Sequence, residues 1–241
     1  MAKRKGNETD YTALQAKYPN LDLDLIAGFE GTAKSGPNVG YWPGTDSSGV
    51  TIGLGIDLAW TNINRFNISD ALKAKLAPYS ITYGKNAKGE QIEIEGPVGR
   101  MGAGVIVNRQ VKYRGEPQKY RRNLVLTDAE INELNLAKGS MIYNNISNDF
   151  NDLTGREFNS LPDEVQSTIM SVGWQIGENF ISQNKAPRLI NKLQNAVINT
   201  GDWSQFIGEL KVGNWSDPNR RRDEGIYLEG KLKGNVNGKT R

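Results

Sequence analysis

The 241-residue sequence contains no cysteine and no histidine. That double absence excludes disulfides, thiol nucleophiles, Ser-His and Cys-His triads, and the zinc sites built on those ligands. Acid-base chemistry is left mainly to carboxylates, and neither a metal nor an organic cofactor is expected. No stretch approaches the roughly 18 consecutive apolar residues of a membrane span, so stable membrane insertion is not expected. The basic start MAKRKGNETD has no apolar segment behind it, so the chain reads as made in the cytoplasm without a signal peptide. The formal charge of +3 suits an anionic surface but falls short of a dedicated nucleic-acid binder, and no nucleic-acid partner is expected. What is present, 37% hydrophobic residues, is enough to bury a substantial core in a soluble globular protein.

Residues 1–20 are polar and basic with a KYPN turn signal, and read as a loose N-terminal arm. Leu21, Leu25, Ile26 and Phe29 recur at helical spacing and predict a helix ending near Gly31, although LDLDL also permits a short strand. SGPNVGYWPGTDSSG reads as loop, and VTIGLGIDL has the β-branched start of a strand. SITYGKNAKGEQIEIEG alternates on both sides of a turn and predicts a hairpin, followed by the apolar AGVIVN and the basic RQVKYRGEPQKYRR.

After Leu126 the pattern turns helical. Thr127 is predicted to cap a helix with Glu130 three residues later, and Ile142, Ile146 and Phe150 continue at four-residue steps. SLPDEVQSTIMSVGWQIG predicts a central helix capped by Ser160, with Pro162 in its first turn and Val165, Ile169, Val172 and Ile176 on one face; Trp174 is expected in the core. APRLINKLQNAVINTG and DWSQFIGELKVG predict two more amphipathic helices stopped by glycine. SDPNRRRDEGIYLEG starts another, and the tail at 231–241 is expected to fray. Arg220 to Arg222 open that helix, where cations oppose the macrodipole, so at least one should pair with an acid such as Glu224.

Glu30 follows Phe29 at the end of an apolar helical face, the edge of a core where desolvation raises a carboxyl's pKa and suits it to general acid catalysis. Thr51 and Asp57 lie six apart across TIGLGID, where Gly53 and Gly55 make room for a substrate or another backbone. Hydrolysis of a glycosidic bond by inversion needs a carboxylic acid on the leaving oxygen and a second group holding water on the opposite face, and Glu30 with Asp57 and Thr51 can supply both. The plainer reading stands beside it: a solvated helix-end Glu30, an ordinary strand Thr51 and a helix-capping Asp57. Tyr41 and Trp42 stand where they can stack on sugar rings. Arg109, Lys112, Arg114, Lys119, Arg121 and Arg122, interleaved with Tyr113 and Tyr120, can steer the chain to an anionic surface, although the commoner role of such a run is a solvated face.

GFEG followed by GYWPGTDSSGVTIGLGIDL resembles the active-site segment of phage-type lysozymes, most closely their pesticin-like branch. There a glutamate ends a helix and a threonine follows in an SGVTIGxGxDL run, with an aspartate six positions on. The resemblance implies that Glu30 is the general acid, that Asp57 orients the attacking water and stabilises positive charge on the sugar, and that Thr51 positions that water. Tyr41, Gly53 and Gly55 would contact substrate. It extends more weakly through Gln166 to Arg220, Arg221 and Glu224, covering about residues 21–230. In the better-known phage lysozymes the aspartate precedes the threonine, so Asp46, five positions before Thr51, rivals Asp57. The TIGLGID spacing favours Asp57, and GTDSSG reads as a turn in which Asp46 caps its own backbone.

The resemblance implies an α+β, lysozyme-like fold: a small β-containing lobe at 21–125, a larger helical lobe at 126–230, and a cleft between them. It implies a muramidase cleaving the MurNAc-GlcNAc bond of peptidoglycan, acting in the periplasm or on the cell wall as a phage endolysin, a tail-associated lysozyme or a bacteriocin-like toxin. Its partners would be glycan strands and a holin, secretion apparatus or immunity protein, and a monomer is expected. The alternatives are a non-catalytic wall-binding or phage-tail module, and a glycanase acting on chitosan or chitin.

Overall fold

The computed structural model describes residues 11–30, 38–41, 50–58, 61–80, 83–85, 91–93, 104–107, 110–113 and 124–238. They are mostly helical with short antiparallel strand pairs, an α+β composition. The chain divides into two compact units interleaved in sequence, one of Met1–Leu14 and Glu30–Lys138, the other of Gln15–Phe29 and Gly139–Arg241.

The first unit is built around a tight hairpin, β1 (Thr51–Ile52) and β2 (Ile56–Asp57), in the register Thr51 to Asp57 and Ile52 to Ile56. Isolated bridges extend it: Tyr41 pairs with Thr51, and Val39 pairs with Val125. Val50, Ile52, Leu54, Ile56 and Leu58 are buried with Ile131 and Leu134, so apolar side chains anchor the hairpin. Helix α3 (Asp70–Leu76) is capped by Ser69, whose hydroxyl accepts the Leu72 N–H. The expected hairpin forms as β3 (Tyr83–Lys85) against β4 (Gln91–Glu93). AGVIVN and the start of the basic run form a second pair, β5 (Gly104–Val107) with β6 (Gln110–Tyr113).

Residues 12–17, expected in a loose arm, instead form helix α1 (Thr12–Lys17). Tyr11 and Leu14 supply the reason, since both are buried, and the Ala13 N–H donates to Asn132 Oδ1 at 3.2 Å. Helix α2 (Leu23–Phe29) resolves the helix-or-strand ambiguity: Asp22 accepts the Leu25 N–H, and Leu23, Leu25, Ile26 and Ala27 are buried.

Helix α4 (Asp128–Thr154) opens with the expected capping box, Thr127 Oγ1 accepting the Glu130 N–H while Glu130 accepts the Thr127 N–H at 2.8 Å. In the second unit, Ile142, Ile146 and Phe150 of α4 are buried with Val165, Ile169 and Val172 of α5 (Asp163–Ile176). A Cβ at Gly173 would lie 2.5 Å from Ile146 Cδ1, so glycine lets α5 approach α4. Ser160 does not cap α5. It closes a 3-10 turn, its hydroxyl donating to the Glu157 carbonyl, and Pro162 occupies the cap position because Leu161 before it is extended.

Helices α6 (Pro187–Asn195), α7 (Ser204–Val212) and α8 (Pro218–Gly238) complete the unit, a π-type turn running from α6 to left-handed Gly201. Helix α8 continues through much of the tail expected to fray, with a Glu229–Lys233 pair at 3.0 Å. At its start Arg220 and Arg221 both pair with Glu224, which is fully buried and also accepts the Ser171 hydroxyl of α5. Burial pushes the Glu224 carboxyl up, and the guanidiniums and that hydroxyl pull it back. Among the described residues no helix is long and apolar enough to cross a membrane.

Candidate active site

The six-residue spacing of Thr51 and Asp57 is the span of the hairpin. Gly53 and Gly55, at φ 59° and 64°, close a three-residue turn that sets Thr51 directly opposite Asp57. Two backbone bonds, Tyr41 N–H to Thr51 O at 2.8 Å and Thr51 N–H to Tyr41 O at 2.7 Å, add a third position to that row. Directly paired residues share a face of a sheet, so Tyr41, Thr51 and Asp57 lie on one face. Thr51 is buried at its centre, with Tyr41 and Asp57 half-buried on either side.

Glu30 comes to the same hairpin from the end of α2. A Cβ at Gly55 would run into its Oε2, so the missing side chain at that position admits the carboxyl. Gly55 therefore serves the turn and the approach at once. Glu30 and Asp57 also meet electrostatically at Tyr41: burial pushes the phenol up to about 12, and the negative charges of Glu30 and Asp57 add to the rise. A half-buried acid, a hydroxyl and a second carboxylate thus converge on one glycine-turned hairpin.

Sequence reading missed Asn135. This α4 side chain is fully buried, and its Oδ1 accepts the Leu54 N–H at 3.0 Å across 81 residues. The same oxygen would be 2.7 Å from a Cβ at Gly53, so Asn135 braces the turn between Thr51 and Asp57. The only signal in the sequence was a polar residue on the apolar stripe running from Ile131 to Leu134.

Asp46, Trp42, Arg109, Arg114 and Lys119 to Arg122 lie outside the described residues, so the Asp57 and Asp46 alternatives are not separated by geometry. Among the described residues no group of three or more acidic side chains is placed to hold a metal ion.

No curated protein matches the chain. A family model does match residues 115–199, that of Pesticin, described as a bacterial toxin homologue of phage lysozyme, C-terminal. The matched segment includes all of α4, α5 and α6, while Glu30, Tyr41, Thr51 and Asp57 precede it. Over residues 115–199 the chain is similar to the Pesticin family, in the branch of phage-lysozyme homologues that its N-terminal motif resembles.

Proposed function

We propose that the chain is a lysozyme-like peptidoglycan hydrolase, a muramidase that cleaves the MurNAc-GlcNAc bond with Glu30, Asp57 and Thr51. The observation that carries this reading is the placement of Thr51 directly opposite Asp57 in a hairpin whose Gly55 admits the Glu30 carboxyl. A family match to a phage-lysozyme homologue supports it independently. The lysozyme-like fold, with a small β-containing lobe and a larger helical one, belongs to the same proposal.

In this mechanism protonated Glu30 gives its proton to the glycosidic oxygen as the bond to the anomeric carbon breaks, releasing the leaving sugar as an alcohol. Ionised Asp57 stabilises the positive charge left on the ring and takes a proton from the attacking water. The Thr51 hydroxyl, beside Asp57 in the row, orients that water. Attack from the face opposite the leaving group inverts the anomeric centre, an outcome adopted from the resemblance. Glycan strands are the substrate, and delivery to the wall falls to a holin or a secretion or injection apparatus.

Clearing of a purified wall suspension by Asp57→Asn, Asp46→Asn and Thr51→Ala tests the assignment. Asp57→Asn is expected to lose about 10²–10⁴-fold in rate, the usual worth of a positioned acid-base group, and Thr51→Ala a smaller factor. Asp46→Asn should clear the wall nearly as fast as the wild type. The reverse ranking would move the second carboxylate to Asp46.

A further inference from the structure

We propose that Tyr41 is a positioning residue whose phenol donates hydrogen bonds within the Glu30–Asp57 pair, rather than a platform for a sugar ring. The inference rests on the hydrolase reading, and two features of the fold carry it.

The first is register. Tyr41 is fixed to Thr51 by reciprocal backbone hydrogen bonds, and Thr51 is the partner of Asp57, so the phenol and the Asp57 carboxyl leave the sheet on one face with a small threonine between them. Strands lie about 4.8 Å apart, so two positions separated by one strand are about 10 Å apart at the backbone. A tyrosine and an aspartate leaning over a threonine can close that span, which a larger central residue would block.

The second is electrostatic. The charges that add to the rise of the phenol's pKa are those of Glu30 and Asp57. Burial and those two charges keep the hydroxyl protonated up to about pH 12, so it remains a donor throughout the range in which carboxylates titrate. A general acid and a charged partner require one carboxyl protonated and the other ionised. A permanently neutral donor between them favours that division, because it hydrogen-bonds the ionised member without adding charge. Stacking on a sugar, by contrast, needs only the ring.

Tyr41→Phe separates the two roles, since it keeps the ring and deletes the hydroxyl. Positioning predicts kcat about 10- to 100-fold lower with KM nearly unchanged, the range for losing a hydrogen bond to a charged group. The acid limb of the pH-rate profile should also move upward, because a carboxylate that loses a donor is harder to ionise. A fully active Tyr41→Phe would overturn the proposal and restore the stacking role.

Titration of ¹³Cζ-labelled tyrosine by NMR gives a second reading that needs no turnover. The Tyr41 resonance is expected to titrate near 12 in the wild type and at lower pH in Glu30→Gln and in Asp57→Asn; indifference to both substitutions would overturn the placement. A wild type that leaves peptidoglycan intact would defeat the hydrolase reading, while the titration would still decide where the phenol sits.

Discussion

A methyl group at position 55 would meet the Glu30 carboxylate on a backbone at φ 64°, where an L side chain is strained. Gly55→Ala should therefore destabilise the protein by about 1–2 kcal/mol and displace Glu30, lowering turnover more than the stability loss alone would. Gly208 in α7 is the contrast, helical with open space where its Cβ would be, and Gly208→Ala should stabilise by about 0.5–1 kcal/mol and leave turnover unchanged. Urea unfolding and initial rates on the same preparations check both. At this scale the sequence announced Gly55 through its pattern, two glycines inside a β-branched run. It did not announce Asn135, because the acceptor that Leu54 needs comes from 81 residues away and no local spacing encodes it.

Elements were legible where one local signal decided them. Thr127 and Glu130 cap α4 because both halves of the box lie within one turn, and the stripe of Val165, Ile169 and Val172 faces the core because burial follows helical period. Two competing signals misplaced the start of α5, where the proline's constraint on Leu161 outweighed the serine cap. Over residues 12–17 the arm expectation gives way for another reason: the short helix α1 is held by Tyr11 and Leu14, two buried residues in a polar context.

The pairing expected at the start of α8 is present, and its burial sets the scale of its effect. Glu224→Ala would leave the buried Arg220 and Arg221 guanidiniums without their carboxylate and should cost about 3–5 kcal/mol in denaturant unfolding. Removing the Lys75–Glu130 pair, whose lysine is largely exposed, should cost at most about 1 kcal/mol. Glu130 titrates below its ordinary value because it accepts the Thr127 N–H and pairs with Lys75. A depressed folded pKa gives stability that is present above the ordinary glutamate value of 4.5 and is lost as pH falls through the folded value, so the stability difference between wild type and Glu130→Gln should shrink on acidification.

Across the whole molecule, the proposed site and the family match fall on different stretches. Glu30, Tyr41, Thr51 and Asp57 belong to the unit of Met1–Leu14 and Glu30–Lys138, and the matched residues 115–199 run from that unit into the second. The match spans the helices α4 to α6, whereas the proposed site, a few polar groups around two glycines, is a short motif whose meaning depends on register. Register was the part the sequence could not supply, since TIGLGID reads equally well as one strand until its glycines take left-handed backbone angles.

The central claim is that this arrangement cuts glycan, with Glu30 as the acid. Digestion of purified peptidoglycan by wild type and by Glu30→Gln, with soluble products read by mass spectrometry and a reducing-end assay, tests it most directly. The account predicts new reducing MurNAc ends with the wild type and none with the variant, both proteins being equally folded. Intact glycan with both proteins, pelleting tightly with the wall, would contradict it and leave the carboxylates as structure in a wall-binding module.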